Sequence, residues 1–201
     1  MMIVFDFDGT LVDSNPIKRR AFELCFSEFP AQKEGILAYC GGNNHVTRSE
    51  KFRHVYENIL KMDYTPEVEK KLHLRFERET TEQIVRAPEI PGASEFIRNA
   101  RPKHRTALLS STPHPILLEI LERRGWSGWF DLKQGAPVNK AAWLKGLEKA
   151  GWPPEQVLFF GDTPEDARSA QTAGCRFIPV ANSALSDGSP VLTDFKEFSL
   201  P

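Results

Sequence analysis

Four short apolar runs, each stopping at polar or small residues, constrain this chain more than anything else in it. Ile3-Val4-Phe5 stops at Asp6. Arg105-Thr106-Ala107-Leu108-Leu109 stops at Ser110-Ser111-Thr112. Val157-Leu158-Phe159-Phe160 stops at Gly161-Asp162-Thr163, and Phe177-Ile178-Pro179-Val180 at Ala181-Asn182-Ser183. Nearly continuous apolar character marks strands buried on both faces, as in a parallel sheet. Helical patterns fall between the runs. Ile116, Leu117, Ile120 and Leu121 form one stripe; Ala142, Trp143 and Leu147 belong to another, with Asn139 as its N-cap. Thr163-Pro164-Glu165-Asp166 opens a third helix, which ends near Gly174 as a left-handed C-cap. Strands alternating with helices imply βαβ units, hence an α/β, Rossmann-like parallel sheet. A further short strand is expected near Phe130-Asp131-Leu132.

The alternation breaks after the first strand. Phe52, Val55, Tyr56, Ile59 and Leu60 keep helical spacing, as do Val68, Leu72 and Phe76, with charged residues between them. The expected organisation is a core of residues 1–14 and 89–201 and an all-helical cap, 15–88, inserted after the first strand. Pro88-Glu89-Ile90-Pro91-Gly92 is the return hinge. Within the insertion, Gly41-Gly42-Asn43-Asn44 reads as a loop, and Thr47 with Glu50 has the spacing of a capping box. Arg48 and Lys51 share one face of the helix that follows, placed to reach an anionic group on a ligand. His45, His54 and His73 lack metal-ligand spacing and read as surface or packing residues. The tail from Ser183 to Pro201 reads as an edge loop or a short finishing segment.

Charge narrows the function classes. Lys and Arg number 26 against 27 Asp and Glu in 201 residues, so no global positive field exists to hold a nucleic acid polymer or an anionic membrane. No apolar run approaches the ~20 residues of a membrane span. The opening apolar run meets Asp6 too soon for a signal peptide, and three cysteines, Cys25, Cys40 and Cys175, give no disulfide framework or zinc spacing. A reducing cytoplasm is the expected compartment.

In a doubly wound sheet, ligands bind outside the carboxyl ends of the strands, so the residues that stop each run converge. Asp6 and Asp8 follow the first run, Ser110 the second and Asp162 the third; Asp166 lies one helical turn further on, and Lys140 begins a helix. Gathering four carboxylates needs a counter-charge. An all-oxygen donor set suits Mg²⁺ and argues against zinc. Cation, ammonium and hydroxyl around one carboxylate make a site for a phosphoryl group. Ser111 and Thr112 rival Ser110 for phosphate binding.

These residues resemble the four motifs of the haloacid dehalogenase superfamily: Asp6-Phe7-Asp8-Gly9-Thr10, Ser110 at a strand end, Lys140 at a helix start, and Gly161-Asp162-Thr163-Pro164-Glu165-Asp166. By layout the phosphoglycolate phosphatase-like subgroup is the nearest. The resemblance implies that Asp6 is the nucleophile and forms an aspartyl-phosphate, and that Asp8 is general acid and then general base. It implies that Ser110 and Lys140 hold the phosphoryl oxygens and that Thr10 orients Asp8. Mg²⁺ would be held by Asp6, the Asp8 main-chain carbonyl and Asp162, with Asp166 direct or one shell out. A carboxylate at residue 8 favours phosphate chemistry over dehalogenation. The expected enzyme is a Mg²⁺-dependent phosphatase of a small phosphorylated metabolite (a sugar phosphate, phosphoglycolate or nucleotide), acting as a monomer or weak homodimer. The rivals are a phosphomutase of the β-phosphoglucomutase kind, a non-catalytic regulatory module on the same fold and, more remotely, phosphonate cleavage through a cap lysine.

Overall fold

The computed structural model describes residues 1–43, 46–181 and 191–200; Asn44, His45, residues 182–190, which include the first part of the expected tail, and Pro201 lie outside the described residues. The chain divides into two compact units, Met1–Asp13 with Ala87–Pro201, and Ser14–Arg86. The boundaries expected from the sequence fall one residue later on the way out and two later on the return.

The first unit holds a five-stranded sheet in the order β3-β2-β1-β4-β5. Its strands are β1 (Met2–Phe5), β2 (Arg105–Pro113), β3 (Leu132–Ala136), β4 (Val157–Gly161) and β5 (Arg176–Pro179). Every pairing is parallel, and Phe5 lies opposite both Leu108 and Phe160. The chain order reverses at β1, which is where an open α/β sheet leaves a crevice at its carboxyl edge. β3 begins where the sequence pattern had put its end; Phe130 is instead a core residue whose ring meets Phe5 at 6.3 Å.

Both sheet faces are covered, which is why the runs are continuous rather than alternating. Met2 and Val4 join Leu109, Val157 and Phe159 beneath the helices Lys140–Lys149 and Pro164–Ala173. Phe5 and Phe160, stacked at 5.2 Å on the other face, meet Phe96 of the helix Ala93–Ala100. Phe195 completes this cluster at 6.2 Å from Phe5 and 5.3 Å from Phe96. Phe195 is therefore part of the core, and this end of the chain is a short finishing segment rather than an edge loop. Burying one such ring stabilises by roughly 1.5–3 kcal/mol, which helps hold the short 3₁₀ turn Phe195–Glu197 in place.

Among its described residues the second unit is built of helices joined by turns, with no strand: Asn15–Cys25, Lys33–Gly42, Arg48–His54 continuing as a π-turn over Val55–Leu60, and Pro66–Arg86. Phe22, Phe26, Phe52, Tyr56 and Phe76 form its core. Gly41 and Gly42 close a helix rather than a loop. Ile36 and Cys40 are buried in the core, and this packing outweighs the roughly 1 kcal/mol a glycine costs inside a helix. Among the described residues, no helix is long and apolar enough to cross a membrane.

Candidate active site

Regular pairing of β1 stops at Phe5, and the chain turns at once. The amides of Leu11 and Val12 both donate to the Phe7 carbonyl, and Gly9 takes φ +80°, a left-handed conformation that glycine adopts without strain. Asp6 still donates its amide to Phe160 of β4, so its carboxylate is held at the carboxyl edge of the sheet. The turn swings Thr10 toward β4, where its hydroxyl donates to Asp162 Oδ1 at 3.2 Å. The Thr10 hydroxyl thus meets Asp162, where the resemblance implied a partner in Asp8.

Lys140 is the first residue of its helix. Asn139 caps it, its side-chain oxygen accepting from the Ala142 amide at 2.8 Å. From there the buried ammonium donates to Asp6 Oδ1 at 2.9 Å and to Asp166 Oδ1 at 2.7 Å. Burial opposes the charged ammonium, but Asp166 and Asp6 outweigh it and raise the lysine pKa. The Asp6 pKa is raised as well: burial, opposed by Lys140 and reinforced by Asp166, Asp162 and Asp8, lifts its carboxyl from 3.8 to about 8.

Asp166 is fully buried and has a second duty. Its Oδ2 accepts from the Thr163 amide at 3.1 Å and from the Thr163 hydroxyl, while Thr163 caps the Asp166 amide. This capping box fixes the start of the helix that follows β4. Both carboxylate oxygens of Asp166 are thus engaged, one by the helix cap and one by Lys140.

The end of β2 supplies the hydroxyls. Ser110 is fully buried, and its oxygen accepts from the Thr112 amide at 3.1 Å. Thr112 in turn donates its hydroxyl to Asp8 Oδ2 at 2.7 Å. Ser111 points out to solvent. Asp6, Asp8, Thr10, Ser110, Lys140, Asp162 and Asp166 are all brought to this edge and buried.

One carboxylate oxygen from each of Asp6, Asp162 and Asp166 lies within 4.8 Å of the other two. With Asp8 nearby, four carboxylates face a single ammonium, and the surplus negative charge calls for a cation. Hard oxygen donors fit Mg²⁺. Because Asp166 is already committed at both oxygens, Asp6 and Asp162 are the side chains best suited to hold one.

Arg48 and Lys51 belong to the helical unit. Arg48 pairs with Glu77 at 3.4 Å and lies over the Phe76 ring. Lys51 is buried, donates to the Cys40 carbonyl at 2.8 Å, and faces the Phe22 ring. Burial, partly countered by Cys40, lowers its pKa from 10.5 to about 8.

Two contributors escape a reading of motifs. Thr112 was visible only as a rival for phosphate. Gly161 is required because a Cβ there would sit 2.5 Å from Asp166 Cβ; its presence in a glycine–aspartate pair at a strand end was the available signal.

Residues 1–174 match the sequence profile of the haloacid dehalogenase-like hydrolases. A phosphorylated carbohydrates phosphatase of Thermotoga maritima is 27% identical over 199 residues, covering 94% of this chain and 89% of the relative. A phosphoglycolate phosphatase of Aquifex aeolicus is 27% identical over 190 residues, covering 87% and 82%. A crystal structure described as a predicted phosphoglycolate phosphatase from Haemophilus somnus superposes with a TM-score of 0.74 at 21% identity, covering 96% of this chain and 94% of that one.

Proposed function

The chain belongs to the haloacid dehalogenase-like hydrolases, and on that footing we propose that it is a Mg²⁺-dependent phosphatase of a small phosphorylated metabolite, working through a phosphorylated Asp6. The observation that carries the reading is the buried Asp6 carboxylate, held by Lys140 at 2.9 Å within reach of Asp162. A carboxylate so fixed is oriented as a nucleophile, and its hydrogen-bond partner is the group that would neutralise phosphoryl oxygens.

Asp6 attacks phosphorus, and the bond from phosphorus to the ester oxygen breaks. Asp8 delivers a proton to that leaving oxygen. As a carboxylate it then takes a proton from water, whose oxygen attacks the same phosphorus; the Asp6–phosphorus bond breaks and inorganic phosphate leaves. Lys140 stabilises charge on the phosphoryl oxygens. Ser110 accepts from the Thr112 amide, so its own O–H is a donor toward them. Mg²⁺, held by Asp6 and Asp162 together with the Asp8 carbonyl, would supply the remaining positive charge and counter the raised pKa of Asp6. Asp166 keeps Lys140 in place.

The names of the relatives support a phosphorylated carbohydrate or phosphoglycolate as the substrate class. Arg48 and Lys51 stand as candidates for reading the leaving group, and Arg48→Ala should change kcat/KM unequally across esters. Free thiols at Cys25, Cys40 and Cys175 suit a reducing cytoplasm.

The test is phosphate release from a panel of sugar phosphates, phosphoglycolate and nucleotides, with Mg²⁺ or EDTA, for the wild type and Asp6→Asn. Turnover that needs both Mg²⁺ and Asp6 is expected. No turnover of any ester, or full activity in Asp6→Asn, overturns the reading. An isomerised sugar phosphate in place of free phosphate would assign a mutase instead.

A further inference from the structure

The geometry points to Thr112 as the positioning residue for Asp8, holding that carboxylate where it hands a proton to the leaving oxygen. This inference rests on the phosphatase reading and adds a residue that the motifs do not supply.

Asp8 needs such a tether. It lies in the turn after β1, where its backbone bridges Val12 but is no longer part of the β1 ladder, so the ladder does not set the direction of its side chain. Thr112 is fixed at both ends of its own backbone. Its amide donates to Ser110 Oγ at 3.1 Å. Its carbonyl lies where Gly135 lets it approach: a Cβ on Gly135 would stand 2.6 Å from the Thr112 oxygen and 2.6 Å from His114 Cα. The register between β2 and β3 shifts between Leu109 and Pro113, and this irregularity carries Thr112 off the even ladder. The buried hydroxyl then meets Asp8 Oδ2 at 2.7 Å, the length of a charge-assisted hydrogen bond. One hydrogen bond thus restricts the swing of the Asp8 side chain. The same residue also ties down Ser110, so the proton donor and a phosphate donor are set by one piece of backbone. Thr112 touches no reacting atom and works through Asp8.

Positioning of the acid matters only where the leaving oxygen needs a proton. An alkoxide does, whereas p-nitrophenolate leaves without one. The experiment compares kcat/KM for p-nitrophenyl phosphate with that for the alkyl phosphate the wild type hydrolyses best, among phosphoglycolate, glycerol 3-phosphate and hexose 6-phosphates. General acid catalysis contributes roughly 10²–10⁴-fold, so a misaligned acid in Thr112→Val should lower alkyl ester turnover roughly 10- to 100-fold and aryl ester turnover less than about 3-fold. Thr112→Ser should restore the alkyl ester. Added to Asp8→Asn, Thr112→Val should cost nothing further, because a residue acting through Asp8 has nothing left to position. Should valine unfold the chain, Thr112→Ala carries the same comparison. Equal losses on both esters, no loss on either, or failure of serine to rescue overturns the inference. If Asp8→Asn itself hydrolyses the alkyl ester normally, the acid–base reading falls and takes this inference with it; if only the Thr112 variants behave as wild type, the inference falls alone.

Discussion

Adding one methyl group at Gly161 should disable the site without touching a charged residue. The Cβ of Gly161→Ala would stand 2.5 Å from Asp166 Cβ and 2.7 Å from Asp166 Cγ. Carbon atoms pack at about 3.5–4.0 Å, so a displacement of roughly 1 Å is forced. Asp166 has no easy way to yield. Lys140 holds Oδ1 at 2.7 Å, Thr163 holds Oδ2, and the backbone belongs to the capping box of the helix. If Asp166 moves, the ammonium that also grips Asp6 at 2.9 Å loses its anchor. Overpacking of this kind costs about 1–3 kcal/mol. Misplacing a catalytic group by roughly 1 Å costs on the order of 10²-fold in rate. The assay pairs urea unfolding with kcat/KM on p-nitrophenyl phosphate. Gly146→Ala serves as the control: Gly146 sits in the helix of Lys140, a Cβ there meets nothing within 4 Å, and alanine should add about 0.5–1 kcal/mol with activity unchanged. A Gly161→Ala protein with wild-type stability and rate would refute the packing argument. One that is destabilised yet fully active would refute the link from Asp166 through Lys140 to Asp6.

Two further predictions follow from titration. The Asp6 carboxyl is lifted from 3.8 to about 8 in the metal-free fold, so between those values the folded chain keeps a proton that the unfolded chain has lost. That stability is present below pH 3.8 and is lost as pH rises through 8; in EDTA, the Tm difference between wild type and Asp6→Asn should shift against the wild type from pH 5 to pH 8, and Mg²⁺ should raise wild-type Tm more at pH 8. A difference independent of both pH and Mg²⁺ would contradict it. For Lys51 the sign reverses: burial lowers its pKa from 10.5 to about 8, so the unfolded chain holds the extra proton between those values and stability rises with pH there. Lys51→Met should be more stable than wild type at pH 7, by a margin that shrinks toward pH 10; equal melting at pH 7 would sink this.

What the sequence made legible is local. Asn139, Thr163 and Gly174 act within four residues of their own positions, and each caps its helix as the pattern predicts. Strand ends are legible for a related reason: an apolar run stops near the edge of the buried sheet, which brings Asp6, Ser110 and Asp162 together, although β2 itself runs on to Pro113. Thr112 was not legible because its partner lies 104 positions away and the contact depends on a register shift that no period of apolar residues records. Phe195 and Phe198 were missed because a polar tail hides two aromatic residues, of which Phe195 packs against β1 and β4 and Phe198 against β4. Lys51 shows the limit of reading a helix face. A shared face with Arg48 says nothing of depth, and the two differ in what they meet: each lies over a ring, but Arg48 pairs with a carboxylate and Lys51 with a main-chain carbonyl.

The same division explains why the acids are not equivalent although the motif presents them alike. A carboxylate has two oxygens, and what each already accepts decides what it can still do. Asp166 spends one on its helix cap and one on Lys140, so its chemistry is to fix an ammonium. Asp6 accepts from that ammonium at Oδ1 alone among the described hydrogen bonds. A carboxylate held at one oxygen is oriented and still able to attack with the other. Under the proposed mechanism this sets Asp6 apart from Asp166: one is left an oxygen with which to attack, the other is committed at both.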